Sequence, residues 1–285
     1  MKSLFEDQPP PHTSNHASTS GCGQSKDDQE MGSNAMSKSG SALKNSAFSC
    51  FLQGMDLNLG RMVVAEMLGT FILMFAVCGI IACTRLIKGE VGLLEYAATA
   101  GLTVVVVIFS IGPISCAHVN PAVTIAFATL GHFPWYKVPL YILAQILGSV
   151  LATYVGQSVY GVKAEIMATR PLQGCSSAFW VELIAAFIIM FLAASLTYQA
   201  QSVGHLSGFV VGISIALAVL ITGPVSGGSM NPARSLGPAI ISWKFNDLWI
   251  YVTAPVIGAV TGALTFRVLR LRCPPCTPTP LPNTI

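Results

Sequence analysis

Two asparagines in this sequence stand at the start of short apolar segments, in the triplets Asn120-Pro121-Ala122 and Asn231-Pro232-Ala233. An asparagine side chain carries both hydrogen-bond donors and an acceptor, so its chemistry is the binding of neutral polar molecules. Proline suits the first turn of a helix, because its missing N–H has no partner there in any case. Asparagine is in turn a favoured N-cap. Each triplet therefore predicts a helix start with an amide side chain beside it.

Arg234, directly after the second triplet, is the only arginine within apolar sequence. A charged side chain in such a setting is costly and usually marks a functional site. The fixed fork of donors in its guanidinium suits a neutral hydroxylated solute, and its charge repels cations. A structural ion pair is the alternative, so the residue alone leaves both roles open.

Residue patterns typical of catalysis are missing from the sequence. It contains no nucleophile–base pair and no metal cluster, and Gly227-Gly228 lacks the Gly-Lys-Ser/Thr that completes a phosphate loop. The eight cysteines do not form a disulfide pattern, and Cys273 and Cys276 are expected in a solvated tail rather than in a metal site. We expect no enzyme, no cofactor and no metal.

The elements that position these residues are predicted to be membrane helices. Apolar residues make up 53% of the 285-residue chain and charged residues only 9%, against roughly 25% charged in soluble domains. Six apolar blocks are long enough to span a bilayer, which takes about 20 residues. They are Met62–Thr84, Leu94–Ile114, Val138–Tyr160, Ala178–Tyr198, Leu206–Gly223 and Leu248–Leu269.

The segments after the two triplets are too short to span. They run from Val123 to Leu130 and from Arg234 to Ile241, so we expect two re-entrant half-helices. Each is preceded by a stretch rich in small residues that we expect to be irregular, 112–118 and 223–229. The predicted fold class is an all-α membrane protein.

Domain boundaries follow the change in composition. Residues 1–59 are rich in Ser, Asn, Gln, Gly and Pro, which is typical of disorder. We expect a channel domain over 60–271 and a disordered tail over 272–285. An even number of spans puts both termini on one side. Flanking positive charges do not decide which side, and the cluster Arg267, Arg270 and Arg272 favours the cytoplasm.

The two halves of the chain resemble each other. The segment 65–71 recurs as 181–187, and the two asparagine triplets are separated by a similar length of chain. Because each half contains three spans, the second copy must enter from the opposite face, and inverted repeats of this kind place their site where broken helices meet at mid-membrane. There, two helix starts each contribute about half a positive charge. Cations and hopping protons would be excluded, whereas a neutral solute would pass.

The doubled triplet, Arg234 and the paired glutamates Glu66 and Glu182 resemble the aquaporin superfamily, the major intrinsic proteins. The resemblance covers about Leu59 to Leu271. The sequences of segments 117–124 and 227–239 are most similar to those of plant nodulin-26-like intrinsic proteins. This resemblance implies six tilted helices plus two half-helices, with four pores in a homotetramer, and a multi-pass protein of the plasma membrane.

By this resemblance, four residues form the selectivity filter: Ala100, Val219, Gly228 and Arg234. Water-selective relatives carry an aromatic residue and a histidine here, and glycerol-type relatives carry large aromatics, so a wider constriction is implied. The match is to the boric-acid-facilitating subgroup, whose members also pass arsenous acid, glycerol and urea. We expect these solutes, water and the lipid bilayer as partners; the net charge of +3 gives no indication of nucleic-acid binding.

Tyr96 lies one helical turn before Ala100 and is a possible gate above Arg234. An interfacial anchor is an equal alternative. The resemblance implies that Glu66 and Glu182 brace the re-entrant loops, although buried carboxyl groups also suggest proton coupling. His118 is likewise expected to be a loop brace rather than a pH sensor. Cys116 replaces the commoner glycine of this loop and predicts sensitivity to thiol reagents.

Three rival functions remain open from the sequence. A general water or glycerol channel has the same two triplets. A secondary transporter also has inverted repeats and broken helices, but it needs acidic groups that face a cavity. A structural junction protein would not need Arg234.

Overall fold

The computed structural model describes residues 36–87, 92–199 and 203–270. For residues 36–56 it gives the backbone alone. The described residues form eight α-helices and no strand. These are α1 Met36–Leu86, α2 Leu93–Ser115, α3 Pro121–Thr129, α4 Val138–Tyr160, α5 Cys175–Tyr198, α6 Ser207–Ser226, α7 Pro232–Ser242 and α8 Leu248–Leu269.

Six of these helices are long and apolar enough to cross a membrane. They are the Leu57–Leu86 part of α1, together with α2, α4, α5, α6 and α8. Large apolar side chains cover their outward surface, for example Leu102, Phe109 and Leu143, each about half exposed. Lipid would cover this surface, as it does in any helical membrane protein. The predicted fold of six spans with two half-helices is confirmed.

The N-terminal boundary of the structure differs from the prediction. The chain divides into two units, Met1–Leu52 and Gln53–Ile285, and the helical backbone of α1 begins at Met36. No proline interrupts residues 36–59, and extending an existing helix adds one hydrogen bond for each residue fixed. The helix thus begins before residue 60, where the channel domain was expected to start, and the predicted domain boundaries stay a prediction. Residues 1–35 and the tail 272–285 lie outside the described residues.

The half-helices α3 and α7 start at the two triplets, as predicted. Each packs against the third span of its own half and more extensively against the third span of the other half, so that α3 lies on α8 and α7 lies on α4. Small residues permit this close packing. Gly237 of α7, for example, faces the backbone of Ser149 in α4 with no room for a Cβ.

The irregular stretches before α3 and α7 are shorter than the sequence predicted. Helices α2 and α6 continue through Pro113 and Pro224 and end at Ser115 and Ser226. A proline in the last turn removes one backbone donor without stopping the helix. The next residue in each case, Cys116 or Gly227, is left-handed and donates its N–H to the carbonyl of Gly112 or Gly223, which closes the helix end.

Candidate functional site

Asn120 and Asn231 cap the half-helices and also bind each other's loop. The Oδ1 of Asn120 accepts from the N–H of Ala122 at 2.9 Å, and that of Asn231 accepts from Ala233 at 2.9 Å. The Nδ2 of Asn120 donates to the carbonyl of Met230 at 2.9 Å, and that of Asn231 donates to the carbonyl of Val119 at 2.9 Å. An amide NH₂ has two hydrogens, so each asparagine retains one donor for a solute.

The loops before the half-helices have an unusual backbone. Three residues in each loop have positive φ: Cys116 (69°), Ala117 (49°) and Val119 (41°) in the first, and Gly227 (82°), Gly228 (69°) and Met230 (49°) in the second. Non-glycine residues seldom adopt this region unless the surroundings hold them there.

Two buried carboxyl groups hold these loops. Glu66 of α1 accepts hydrogen bonds from the backbone N–H of His118 at 2.9 Å and of Val119 at 2.7 Å. Glu182 of α5 accepts from the N–H of Ser229 at 2.9 Å and of Met230 at 2.6 Å. Both glutamates are fully buried, and their hydrogen bonds are those that the resemblance implies.

Two tyrosines complete the braces, and they were not predicted from the sequence. The hydroxyl of Tyr141 donates to the carbonyl of Ser115 at 3.0 Å, and that of Tyr251 donates to the carbonyl of Ser226 at 2.8 Å. The two tyrosines are separated by almost the same length of chain as the two asparagines. That spacing was a signal that could have identified them.

His118 is packed among aromatic rings. Its imidazole stacks on Phe127 at a centroid distance of 5.1 Å and meets Phe133 and Tyr141 at 4.8 and 5.5 Å. Its Nδ1 has no hydrogen-bond partner among the described residues. The ring is therefore held by packing, and the backbone of the residue by Glu66.

Arg234 is buried directly after the second triplet, with 4% of its surface exposed. Its Nη1 donates to the carbonyl of Met167 at 2.7 Å, and its Nη2 donates to the hydroxyl of Tyr96 at 3.2 Å. That hydroxyl also lies 3.3 Å from the carbonyl of Gly227 and 3.2 Å from that of Gly228. Tyr96 thus connects the arginine to the second loop across the entrance.

One cavity of about 680 Å³ unites the residues that the sequence singled out. Ala100 and Val219 are buried in one apolar cluster with Met230. Both line the cavity, together with Gly228, Arg234, Tyr96, Asn120, Asn231, His118 and Cys116. The prolines and alanines of the two triplets are buried in the first turns of α3 and α7. Among the described residues, no three His, Cys, Asp or Glu side chains are grouped as a metal site.

The connecting segment 161–174, between α4 and α5, was not predicted to belong to the site. It contains a short helical turn, Ala164–Met167. The side chain of Met167 is buried with Met74 and Cys78 of α1. Outside the membrane spans, Lys244 forms an ion pair with Glu165 at 2.9 Å, and this hydrogen bond lowers the pKa of Glu165. No motif in the sequence indicated that this segment contacts Arg234.

Comparisons with known proteins agree with this geometry. A family model described as Major intrinsic protein matches residues 55–266. The chain is 61% identical over 239 residues to "Probable aquaporin NIP7-1" of Arabidopsis thaliana, covering 84% of this chain and 86% of that protein. It is 43% identical over 209 residues to "Aquaporin NIP1-1" of Zea mays, covering 73% and 74%.

A solved structure also matches the fold. The X-ray structure of the aquaglyceroporin from Plasmodium falciparum aligns with a TM-score of 0.69 at 25% sequence identity. The alignment covers 74% of this chain and 96% of that one.

Proposed function

This chain belongs to the major intrinsic protein family, and we propose that its cargo is boric acid and similar small neutral solutes. The family forms passive channels rather than enzymes, and the relatives are plant aquaporins of the nodulin-26-like subgroup, as expected from the sequence. Arsenous acid, glycerol and urea are further solutes of the same class.

Charge at the centre of the cavity supports a neutral cargo. The starts of α3 and α7 are joined by the hydrogen bonds of Asn120 and Asn231 to the opposite loops, and each start carries about half a positive charge. Arg234 adds a full charge toward the outer end. A cation or a migrating proton meets this positive potential without compensation, whereas a neutral hydroxylated molecule does not.

The observation that carries the choice of cargo is the size of the outer ring. Three of its four members are small or medium apolar residues, Ala100, Val219 and Gly228, and all of them line the cavity beside Arg234. A planar molecule with three hydroxyl groups can accept hydrogen bonds from the guanidinium, which has five donors. Two of these donors are used by Met167 and Tyr96.

Tyr96 is proposed as the gate of this ring. Its hydroxyl lies within hydrogen-bond distance of Arg234, Gly227 and Gly228, so its aromatic ring fills space that Ala100 leaves open. Passage of a solute then requires the side chain to rotate and these hydrogen bonds to break. Each such bond contributes roughly 1 kcal/mol, which is compatible with frequent opening.

A general water or glycerol channel is the second candidate. It is favoured by the fold likeness to an aquaglyceroporin. A secondary transporter is less well supported, because it needs acidic groups that face the cavity. The carboxyl oxygens of both buried glutamates accept hydrogen bonds from loop N–H groups, and neither residue lines the cavity. Following the resemblance, we further propose a homotetramer in the plasma membrane with both termini in the cytoplasm.

Stopped-flow light scattering of proteoliposomes tests the cargo and the gate together. We expect boric acid to enter wild-type vesicles faster than protein-free vesicles. Tyr96→Ala should raise this flux roughly tenfold, the effect of losing about 1.4 kcal/mol of closing free energy. Tyr96→Phe, which keeps the ring but loses the hydroxyl, should lie between them.

The control for this experiment is Tyr154→Ala, a change at an outward-facing tyrosine of α4 that is 57% exposed. Equal fluxes in wild type and Tyr96→Ala, at matched amounts of folded protein, would rule out the gate. Water flux without boric acid flux in either protein would instead favour the water channel.

A further inference from the structure

A chain of buried hydroxyl groups links the connecting segment 161–174 to the loop that carries Arg234. The Oγ1 of Thr169 donates to the Oγ of Ser235 at 2.8 Å, and the Oγ of Ser235 lies 2.6 Å from that of Ser229. The Oγ of Ser229 donates to the carbonyl of Asn231 at 3.0 Å. All four residues are at least nine-tenths buried. We call Thr169, Ser235 and Ser229 the hydroxyl relay.

The direction of the relay follows from counting hydrogens. A hydroxyl group has one hydrogen to donate, and Ser229 uses its own on Asn231. Ser235 must therefore donate to Ser229, and Thr169 to Ser235. Every hydroxyl in the relay donates once and accepts from its neighbour, except Thr169 at its outer end. Hydrogen bonds arranged head to tail in this way polarise and strengthen one another.

The relay braces the short segment of chain that carries Arg234, one of the four residues of the outer ring. Ser229 directly follows Gly228, and Ser235 directly follows Arg234. The bond between the two serines thus joins the ends of the segment from 229 to 235, which includes Asn231. A movement of the Arg234 backbone relative to that of Gly228 would strain this bond.

Thr169 is itself well placed to hold the relay. The backbone N–H groups of Leu172 and Gln173 donate to the carbonyl of Val225 at 2.9 and 3.3 Å. On the other side of Thr169, Met167 inserts its side chain between α1 and α4. The segment is thus fixed on both sides of the threonine.

The inner half of the channel has a different arrangement at the corresponding position. Thr124 stands at the same place after Asn120 as Ser235 does after Asn231. Its hydroxyl donates to the carbonyl of Asn120 at 3.0 Å and accepts from Gln145 of α4 at 3.1 Å. The inner half-helix is therefore braced by a residue of a membrane span. The outer one is braced by a residue of a connecting segment.

We propose that the hydroxyl relay positions Arg234 and so sets the selectivity of the outer ring. Thr169 and Ser235 are positioning residues, because neither lines the cavity, whereas Ser229 does. The proposal rests on the proposed channel function. It predicts that a break in the relay lets Arg234 move away from its place, so that larger solutes and protons pass more easily.

The test compares Thr169→Val, which keeps the shape but removes the hydroxyl, with Thr169→Ser, which keeps the hydroxyl. Full-length protein in proteoliposomes is assayed for glycerol, boric acid and proton flux. The ratio of glycerol to boric acid permeability does not depend on how many channels are folded. We expect it to rise roughly fivefold in Thr169→Val, as for the loss of one hydrogen bond of about 1 kcal/mol. Thr169→Ser should stay near wild type.

Three further variants separate the relay from general loosening of the protein. Ser235→Ala should raise the ratio like Thr169→Val, and the double variant should not exceed the larger single effect, because both changes break one chain. Thr253→Val removes a hydroxyl that bonds only to its own helix α8 and should leave the ratio unchanged.

Amide hydrogen exchange of residues 227–235 gives a readout that needs no flux. Faster exchange there in Thr169→Val, but not in Thr253→Val, is expected. Wild-type ratios in both Thr169→Val and Ser235→Ala, or a Thr169→Ser ratio as high as that of Thr169→Val, would overturn the relay. Absence of solute flux in wild type and in every variant would overturn the proposed function, and exchange would then decide the relay alone.

Discussion

At the scale of single residues, each central asparagine performs three tasks with one amide group. Its oxygen caps its own half-helix, one hydrogen binds the opposite loop, and the other hydrogen is left for a solute. From the sequence we expected the amide donors to face the solute. Half of that donor capacity is instead used to fix the orientation of the side chain, so the remaining donor points in one direction.

The loop glutamates give the first prediction. Glu182→Gln replaces one of the two acceptor oxygens by an NH₂ group, so that one of the N–H groups of Ser229 and Met230 faces a donor instead of an acceptor. Because a hydrogen bond to a charged group contributes about 1.5–3 kcal/mol, we expect a loss of stability of about this size. Thermal unfolding followed by size-exclusion chromatography measures it.

Glu66→Gln should destabilise the protein similarly, since Glu66 occupies the matching position in the first half. Glu165→Gln, which breaks a partly exposed ion pair that contributes at most about 1 kcal/mol, serves as the control. An unchanged melting temperature in both Glu182→Gln and Glu66→Gln would show that the loops hold their left-handed backbone without these braces.

At the scale of helices, the closest approach between spans depends on glycine. Gly258 and Gly262 of α8 lie against the backbone carbonyls of Leu183 and Phe187 in α5, with no space for a methyl group. The GxxxG spacing of such residues is typical of membrane helix contacts. This contact holds α8 in place, and α8 in turn supports α3.

Gly258→Ala is therefore expected to destabilise the channel. Adding a methyl group to a filled interface costs about 1–3 kcal/mol. Gly60→Ala is the matched control, because a methyl group at Gly60 would have no atom within 4 Å and alanine favours a helix by about 1 kcal/mol. The melting temperature should fall in the first variant and stay level or rise in the second. Equal shifts would contradict close packing at Gly258.

The ion pair of the connecting segment predicts a pH dependence. Lys244 lowers the pKa of Glu165 from its ordinary value of 4.5, so the folded state favours the ionised carboxylate. Its stabilising contribution is complete above that ordinary pKa and is lost as the pH falls through the lowered value. We expect the amide groups of residues 161–174 to be less protected at pH 3.5 than at pH 6, once each exchange rate is divided by its intrinsic rate at that pH, and we expect a smaller difference in Glu165→Gln. Both groups are partly exposed, so the effect should be small.

The sequence predicted the helices well and the contacts between them poorly. Hydropathy identified all six spans, because a helix that crosses a bilayer must be apolar over about 20 residues. The two triplets identified the starts of α3 and α7. The ends of α2 and α6 were placed too early, since a proline in a last turn does not stop a helix. The contact of Arg234 with Met167 was not predictable, because it joins a backbone carbonyl, which has no sequence signature, to a residue far along the chain.

At the scale of the whole molecule, two inverted halves enclose one cavity. Each half-helix packs on the other half, and each central asparagine binds the other half's loop. The braces are paired as well, through Glu66 with Glu182 and Tyr141 with Tyr251. The halves differ in how the fourth residue after each asparagine is held. Thr124 accepts a hydrogen bond from Gln145 of α4, whereas Ser235 accepts one from Thr169 of the connecting segment. The two ends of the channel are therefore not equivalent.

Cys116 gives a prediction that reports on this inversion. Of the four cysteines whose side chains the structure describes, Cys116 lines the cavity, whereas Cys78, Cys83 and Cys175 do not. It lies where α2 ends, and α2 ends on the face from which α1 enters. A membrane-impermeant thiol reagent should therefore reduce solute flux when it is added on the side of the chain termini, and not from the other side.

The controls for this experiment are Cys116→Ser, which should be resistant, and Cys175→Ser, which should be blocked like wild type. Block from the side opposite the termini, abolished by Cys116→Ser, would contradict the inverted arrangement of the two halves.

The hydrogen bond between Asn120 and Met230 has a consequence for how the protein is made. The two residues are 110 positions apart, and a ribosome adds about 5–20 residues each second. The first re-entrant segment thus waits for about 5–20 s before its partner has been synthesised. During that interval the N-terminal half holds an incomplete polar loop within the bilayer. The polar backbone groups of that loop must therefore remain near the membrane surface or in contact with the insertion machinery of the nascent chain until the second half has been synthesised.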